Sequence, residues 1–206
     1  MISKKLESIL IQLPEVQAGK GLLQNEFHDF DVYNHSINCA DCLKKMKPCP
    51  NINIIVAGYL HDIGKPVIYK LKKQRKDIKK NHGEIGKAMV EKMDVSLFRK
   101  YGLDQKNIAR LVGAHCLPIN NIIKMRKALN YNQFVELYNK FLDKLNQTGL
   151  DKKNIMTLFF ADSLSKKKKK DIYFKESNLV INTVLNNNIG LEKIYSLQKK
   201  IYEANK

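Results

Sequence analysis

The chain has 206 residues, 44% of them hydrophobic, which suits one domain with a real core and leaves room for at most a small appendage. No window approaches the about 18 consecutive apolar residues of a membrane span, and Glu7, Gln12 and Glu15 interrupt any signal-peptide core, so a soluble cytoplasmic protein without a membrane partner is expected. The formal net charge of +17 favours a polyanionic substrate or partner such as RNA, DNA or nucleotides, although a composition rich in Lys, Asn and Ile also follows from an AT-rich genome.

Valine and threonine are scarce and alternating apolar patterns nearly absent, whereas helical spacing recurs, so the expected fold class is all-α. A first helix is predicted over 3–12, stopped near Pro14, followed by an irregular stretch over 20–34. Asp31 or Asn34 is a candidate cap for a helix from His35 to about Lys47. The next helix is expected from about Asn51 to Ile63, ended by Gly64 with Pro66 just beyond, and residues 67–80 read as a basic connection. A helix starting near His82 carries Ile85, Ala88, Met89 and Met93 on one face. Another, from about Asp104, is ended by Pro118. Further helices are predicted over 120–129, 131–145, from about Lys152, and over 171–187 and 190–204.

Two of these patterns end alike. Ile108, Leu111 and Val112 lead to His115, and Ile155, Leu158 and Phe159 lead to Asp162, each at i, i+3, i+4 and i+7. His115 and Asp162 therefore point inward, and a buried Asp162 needs a neutralising partner. A divalent cation is such a partner, and it also accepts neutral imidazoles. His35, the adjacent His61 and Asp62, and His82 complete a set of six imidazoles and carboxylates on separate predicted helices. A hydrogen-bonded core histidine is the plain alternative for each one alone. Of the five histidines, His28 falls outside this set. Cys39 and Cys42 stand at i and i+3, with no strand before them and no second pair after them. With Cys49 and Cys116 they read as small buried apolar side chains plus one exposed thiol.

The string from Ala57 to Pro66, around His61-Asp62-Ile63-Gly64-Lys65, resembles the HD superfamily of metal-dependent phosphohydrolases. That family is an all-helical bundle marked by a His, a His-Asp doublet and a distant Asp. His35, His61, Asp62 and Asp162 match in order, and Asp162 lies in a Phe160-Ala161-Asp162-Ser163 segment like the family's closing one. His82 and His115 match the two extra histidines of members that hold two metals. More narrowly, Leu13-Pro14-Glu15, Gly21, Gln24 and the run from Phe27 to His35 resemble the opening of the HD domain of bacterial CCA-adding tRNA nucleotidyltransferases. The resemblance covers roughly residues 10–165. No nucleotidyltransferase domain precedes it in the 206 residues, so a free-standing HD domain over 1–206 is expected, with the C-terminal helices at 171–204 outside the likeness.

The resemblance implies a hydrolase of phosphomonoesters or phosphodiesters of nucleotides or RNA ends, acting through a metal-activated water. It implies that Asp62 bridges two metals or, where only one binds, ligates it alone, that His35, His61 and Asp162 complete the first, and that His82 and His115 hold the second. Mixed His/Asp ligation suits Mn, Fe, Co, Ni or Zn, and one-metal members also use Mg. Lys65 is expected to touch a substrate phosphate, His28 to donate to substrate at the mouth, and the run Lys166 to Lys170 is a solvated charge run or a collector of polyanion. Two other readings stay open: a nucleic-acid-binding module with a structural metal site, and a di-iron oxygenase of HD type.

Overall fold

The computed structural model of the protein describes residues 2–24, 28–74, 81–166, 171–186 and 190–204, and among them there are helices and no strand. The helices are α1 (Lys4–Gln12), α2 (Pro14–Gln17), α3 (Val32–Lys45), α4 (Ile52–Leu60), α5 (Lys65–Lys73), α6 (His82–Lys92), α7 (Val95–Lys100), α8 (Gln105–Ala114), α9 (Leu117–Arg126), α10 (Tyr131–Gln147), α11 (Lys152–Ser165), α12 (Asp171–Leu185) and α13 (Leu191–Glu203). Most start on a side-chain oxygen that accepts an otherwise orphaned backbone N–H. Asp31 accepts from Asn34, Asp104 from Asn107, Asn130 from Gln133 and Asp151 from Lys153. Asn81 and Glu84 form a reciprocal capping box at the start of α6.

The most apolar helix, α4, is buried from Ile54 through Leu60 and forms the centre of the bundle. Helices α3, α8 and α11 pack around it, and α6 lies along α8. This arrangement carries four chemistry-bearing segments to one end of α4. They are the first turns of α3 and α6, the corner after α8, and the last turn of α11.

Several boundaries differ from those read in the sequence. Helix α4 stops at Leu60, so His61 and Asp62 lie in the tight turn that follows and not in the helix. The expected basic connection is a helix, α5, over its first part, and 75–80 lie outside the described residues. Pro66 opens α5 and Pro118 opens α9, where each had read as a stop. The first helical position tolerates proline, because its N–H has no partner within the helix. The short helices α2 and α7 carried no periodicity long enough to see. In α6 the buried face is Gly83, Gly86 and Val90, with Met89 and Met93 partly buried at its flank. A Cβ on Gly86 would come within 2.9 Å of Val112 Cγ1, so the glycines let α6 lie close on α8.

Helices α12 and α13 cover α9, α10 and α11 from outside. A buried Glu176 accepts from the Arg126 guanidinium, at 2.8 Å from Nε, and that guanidinium also lies over the Tyr173 ring. Arg126 thus ties α9 to α12. Breaking such a pair leaves a buried carboxylate uncompensated.

Candidate metal centre

His35, from the first turn of α3, and Asp162, from the last turn of α11, meet at 2.9 Å between Nε2 and Oδ1. His61 Nε2 lies 3.3 Å from His35 Nε2 and 3.3 Å from Asp62 Oδ2. On the other side of Asp62, His82 Nε2 and His115 Nε2 lie 3.1 Å apart, and they stand 3.3 Å and 3.6 Å from Asp62 Oδ1. All six residues selected in the sequence are therefore brought together, and each oxygen of Asp62 faces one pair of imidazoles. Apart from His82, which is partly exposed, all are buried.

The imidazoles are held from behind. His61 donates from Nδ1 to the Gly58 carbonyl at 2.9 Å, and His115 from Nδ1 to the Val112 carbonyl at 2.6 Å. The Ser165 hydroxyl donates to the Asp162 carbonyl and accepts from His35 Nδ1 at 3.0 Å. In its neutral form each of these rings, with Nδ1 as the donor, presents an Nε2 lone pair to the centre. Such outer partners commonly fix the orientation of metal-binding histidines. Nitrogen lone pairs and carboxylate oxygens are all acceptors, and the two lysines at the rim, Lys65 and Lys166, face Asp62 Oδ2 and Asp162 Oδ2, not Asp62 Oδ1. Among the described residues the buried Oδ1 of Asp62 has no hydrogen-bond partner of good geometry. A divalent cation suits this donor set and satisfies that oxygen. The groups His35–His61–Asp62 and His82–His115–Cys116 each gather donor atoms closely enough to hold one.

The charges around the centre follow the same logic. Burial works against the ionised form of Asp62, yet His61 and Lys65 hold its carboxyl well below the usual range. Burial is likewise overcome at Asp162, by Lys166 and His35. Lys65 Nζ stands 2.6 Å from Asp62 Oδ2 and donates to Gln24 Oε1 at 2.5 Å. Lys166 Nζ stands 3.5 Å from Asp162 Oδ2, while 167–170, the rest of that basic run, lie outside the described residues. His28 packs edge-on against His35 with ring centroids 4.9 Å apart. Burial and the neighbouring charges of Lys166, His35 and Lys65 push its pKa down to about 3, so it is neutral at neutral pH. Lys65 and His28 thus both border the centre.

Three residues of the centre had no role in the sequence reading. Gln24 and Ser165 each stood only within a segment that carries the family likeness, with no role of their own. Cys116 departs furthest from expectation. Its thiol is buried, but against imidazoles and not in apolar packing: Sγ lies 3.1 Å from both His82 Nε2 and His115 Nε2. Burial raises its pKa, but the charge of His115 and hydrogen bonds with His115 and His82 bring it down to about 6. Cys39 is buried, and Cys49 is exposed, as expected.

Comparison with known proteins agrees with this geometry. A curated relative, the A-adding tRNA nucleotidyltransferase of Deinococcus radiodurans, is 29% identical over 111 residues, covering 53% of this chain. The chain spans only 25% of that relative's length. No solved structure matches significantly. The family described as HD domain matches residues 32–167, a span that opens at α3 and closes just after Asp162 and contains every one of the six gathered residues. HD domains bind divalent metals and are of metal-dependent hydrolase type, and the chain belongs to the HD domain family.

Proposed function

We propose that the protein is a metal-dependent phosphohydrolase that cleaves phosphomonoesters or phosphodiesters of nucleotides or RNA ends. The observation that carries this reading is the position of Asp62, a buried carboxylate shared between two imidazole pairs with one oxygen unsatisfied. His35, His61 and Asp162 would hold one divalent cation with Asp62, and His82 and His115 a second. Cations held there supply Lewis acidity toward phosphoryl oxygens and lower the pKa of bound water to about 7.

The chain's own groups supply the rest. The Gly58 and Val112 carbonyls and the Ser165 hydroxyl keep three imidazoles in the tautomer that aims Nε2 inward. Lys65 and Lys166 place two ammonium groups at the carboxylates' outer edge, where phosphate oxygens of a bound ester can be held as by point charges. His28, held neutral, can donate a hydrogen bond there without adding charge. The net charge of +17 and the tRNA-directed name of the relative both favour an RNA end over a free nucleotide.

The test is elemental analysis of gently purified protein, followed by a phosphoester screen with the metal found. Bound divalent metal and phosphate-ester turnover are expected. Oxygen consumption without ester cleavage would replace this reading by an oxygenase, and metal without either activity would leave a binding module. His82→Ala is expected to lower bound metal from two per chain to one and to cut turnover. A ratio near one metal per chain in the fully loaded parent, with His82→Ala as active as the parent, would restrict the centre to one metal. For an RNA substrate, kcat/KM should fall steeply across a salt series, whereas a 2′,3′-cyclic mononucleotide should respond weakly, because counterion release scales with the phosphates neutralised. Equal salt responses would make the basic charge compositional.

A further inference from the structure

We infer that Cys116 is a thiolate ligand of the second metal position, so that the two positions of the centre differ in kind and the second selects a borderline cation such as zinc, cobalt or iron(II) over magnesium. This rests on the proposed metal-dependent reading and assigns a residue to it that neither the charge pattern nor the family likeness singled out.

Helix α8 ends at Ala114 and α9 begins at Leu117, and His115 and Cys116 form the corner between them, both with right-handed helical backbone (φ −59°, ψ −30° and φ −79°, ψ −11°). Their side-chain ends converge all the same, with His115 Nε2 and Cys116 Sγ 3.1 Å apart. His82 Nε2, His115 Nε2 and Cys116 Sγ form a nearly equilateral triangle, with all three separations 3.1 Å. Asp62 Oδ1 stands off that triangle, 3.3 Å from one nitrogen and 3.6 Å from the other. Tetrahedral zinc bonds of about 2.0–2.3 Å space their donors about 3.3–3.8 Å apart, so these atoms need only small outward shifts. The oxygen at the fourth corner is the buried one with no hydrogen-bond partner of good geometry among the described residues.

Chemistry then separates the two positions. The His35, His61 and Asp162 side offers imidazole and carboxylate, which many divalent ions accept. The other side offers two imidazoles, one sulfur and one shared oxygen. Magnesium demands near-octahedral oxygen ligation and is poorly served by this set, while thiolate favours zinc-like ions. A coordinated thiolate also lowers the net positive charge of a two-metal centre by one.

Cobalt(II) tests this, because thiolate ligation adds a sulfur-to-cobalt charge-transfer band in the near ultraviolet, independent of any turnover. The 206-residue chain, stripped of metal and titrated with cobalt chloride, should develop that band along with the visible absorption of nitrogen- and oxygen-bound cobalt. Cys116→Ser should keep the visible absorption of the first position and lack the charge-transfer band. A triple variant, Cys39→Ala with Cys42→Ser and Cys49→Ser, leaves Cys116 as the sole thiol and should keep the band. It preserves the test if Cys116→Ser fails to fold, and loss of the band there overturns thiolate ligation. In zinc competition the second equivalent should be weakened in Cys116→Ser by about a hundredfold or more, since loss of outer partners alone typically costs about 10–100-fold. Cobalt bound by the native chain without the band, or a band that survives in Cys116→Ser, overturns thiolate ligation and leaves the metal-dependent reading standing. A native chain that binds no cobalt overturns both.

Discussion

Asp62→Ala is expected to lose bound metal and turnover together while the helical fold persists. Asp62 places one carboxylate oxygen on each imidazole pair, at 3.3 Å on each side, so its loss affects both positions directly. The loss should exceed about a hundredfold in metal affinity, the upper range for merely supporting residues. The fold should survive because the carboxylate contributes little to it. Its buried Oδ1 makes no hydrogen bond of good geometry among the described residues, and its imidazole neighbours are anchored elsewhere, His61 on Gly58 and His115 on Val112. Lys65 keeps Gln24 as a partner. Asp62→Asn preserves volume and removes only charge, so a similar loss there would assign the effect to the carboxylate itself. Elemental analysis, ester turnover and a circular-dichroism melt check this, and parent levels of metal and turnover in Asp62→Ala would remove the basis of the proposed function.

The all-helical class and most of the long helices were legible because their apolar spacing repeats over several turns. His115 and Asp162 were legible for the same reason: each continues an apolar stripe by one turn, and each is buried. What stayed hidden depends on corners and on partners far off in the chain. Spacing says that Pro66 and Pro118 interrupt a helix, but not that each also opens the next one. Cys116 is invisible to apolar periodicity because its thiol meets the imidazoles of His82 and His115 and continues no apolar stripe. Arg126 finds its carboxylate at Glu176, on a helix whose packing against α9 no local pattern predicts. The tight face of α6 was misplaced for a related reason. Hydropathy ranks Ile85 and Met89 above Gly83 and Gly86, whereas close approach of two backbones selects the glycines.

Gly64→Ala is expected to damage both stability and the second metal position, and it separates the roles of backbone and ligand. Gly64 has φ −76° and ψ −18°, a conformation open to any residue, so no torsional need explains a glycine here. Space does. An added Cβ would lie 2.0 Å from the His82 carbonyl oxygen and 2.9 Å from Gly86 N. Both are backbone atoms of α6, which cannot swing aside as a side chain would. The turn carrying His61 and Asp62 therefore touches the first turn of α6 with nothing between them, and this contact sets the distance from Asp62 to His82. To admit a methyl group, α6 must retreat by about 1 Å or the turn must open. Overpacking of this kind typically costs about 1–3 kcal/mol, and a clash with backbone belongs at the top of that range. For a chain of this size each kcal/mol lowers the melting temperature by about 2–4 °C, so a drop of roughly 6–12 °C is expected. The same retreat draws His82 away from Asp62 Oδ1 and from His115, and misplacement by about 1 Å can cost on the order of a hundredfold in rate. Helices α3 and α11 are not displaced, so the His35, His61 and Asp162 side should still bind metal. Gly64→Ala should thus retain about one metal per chain, where Asp62→Ala loses both. A denaturant melt and metal analysis of the folded variant read the two effects separately, and an unchanged melt with full metal content would show that the turn and α6 do not set the geometry of the centre.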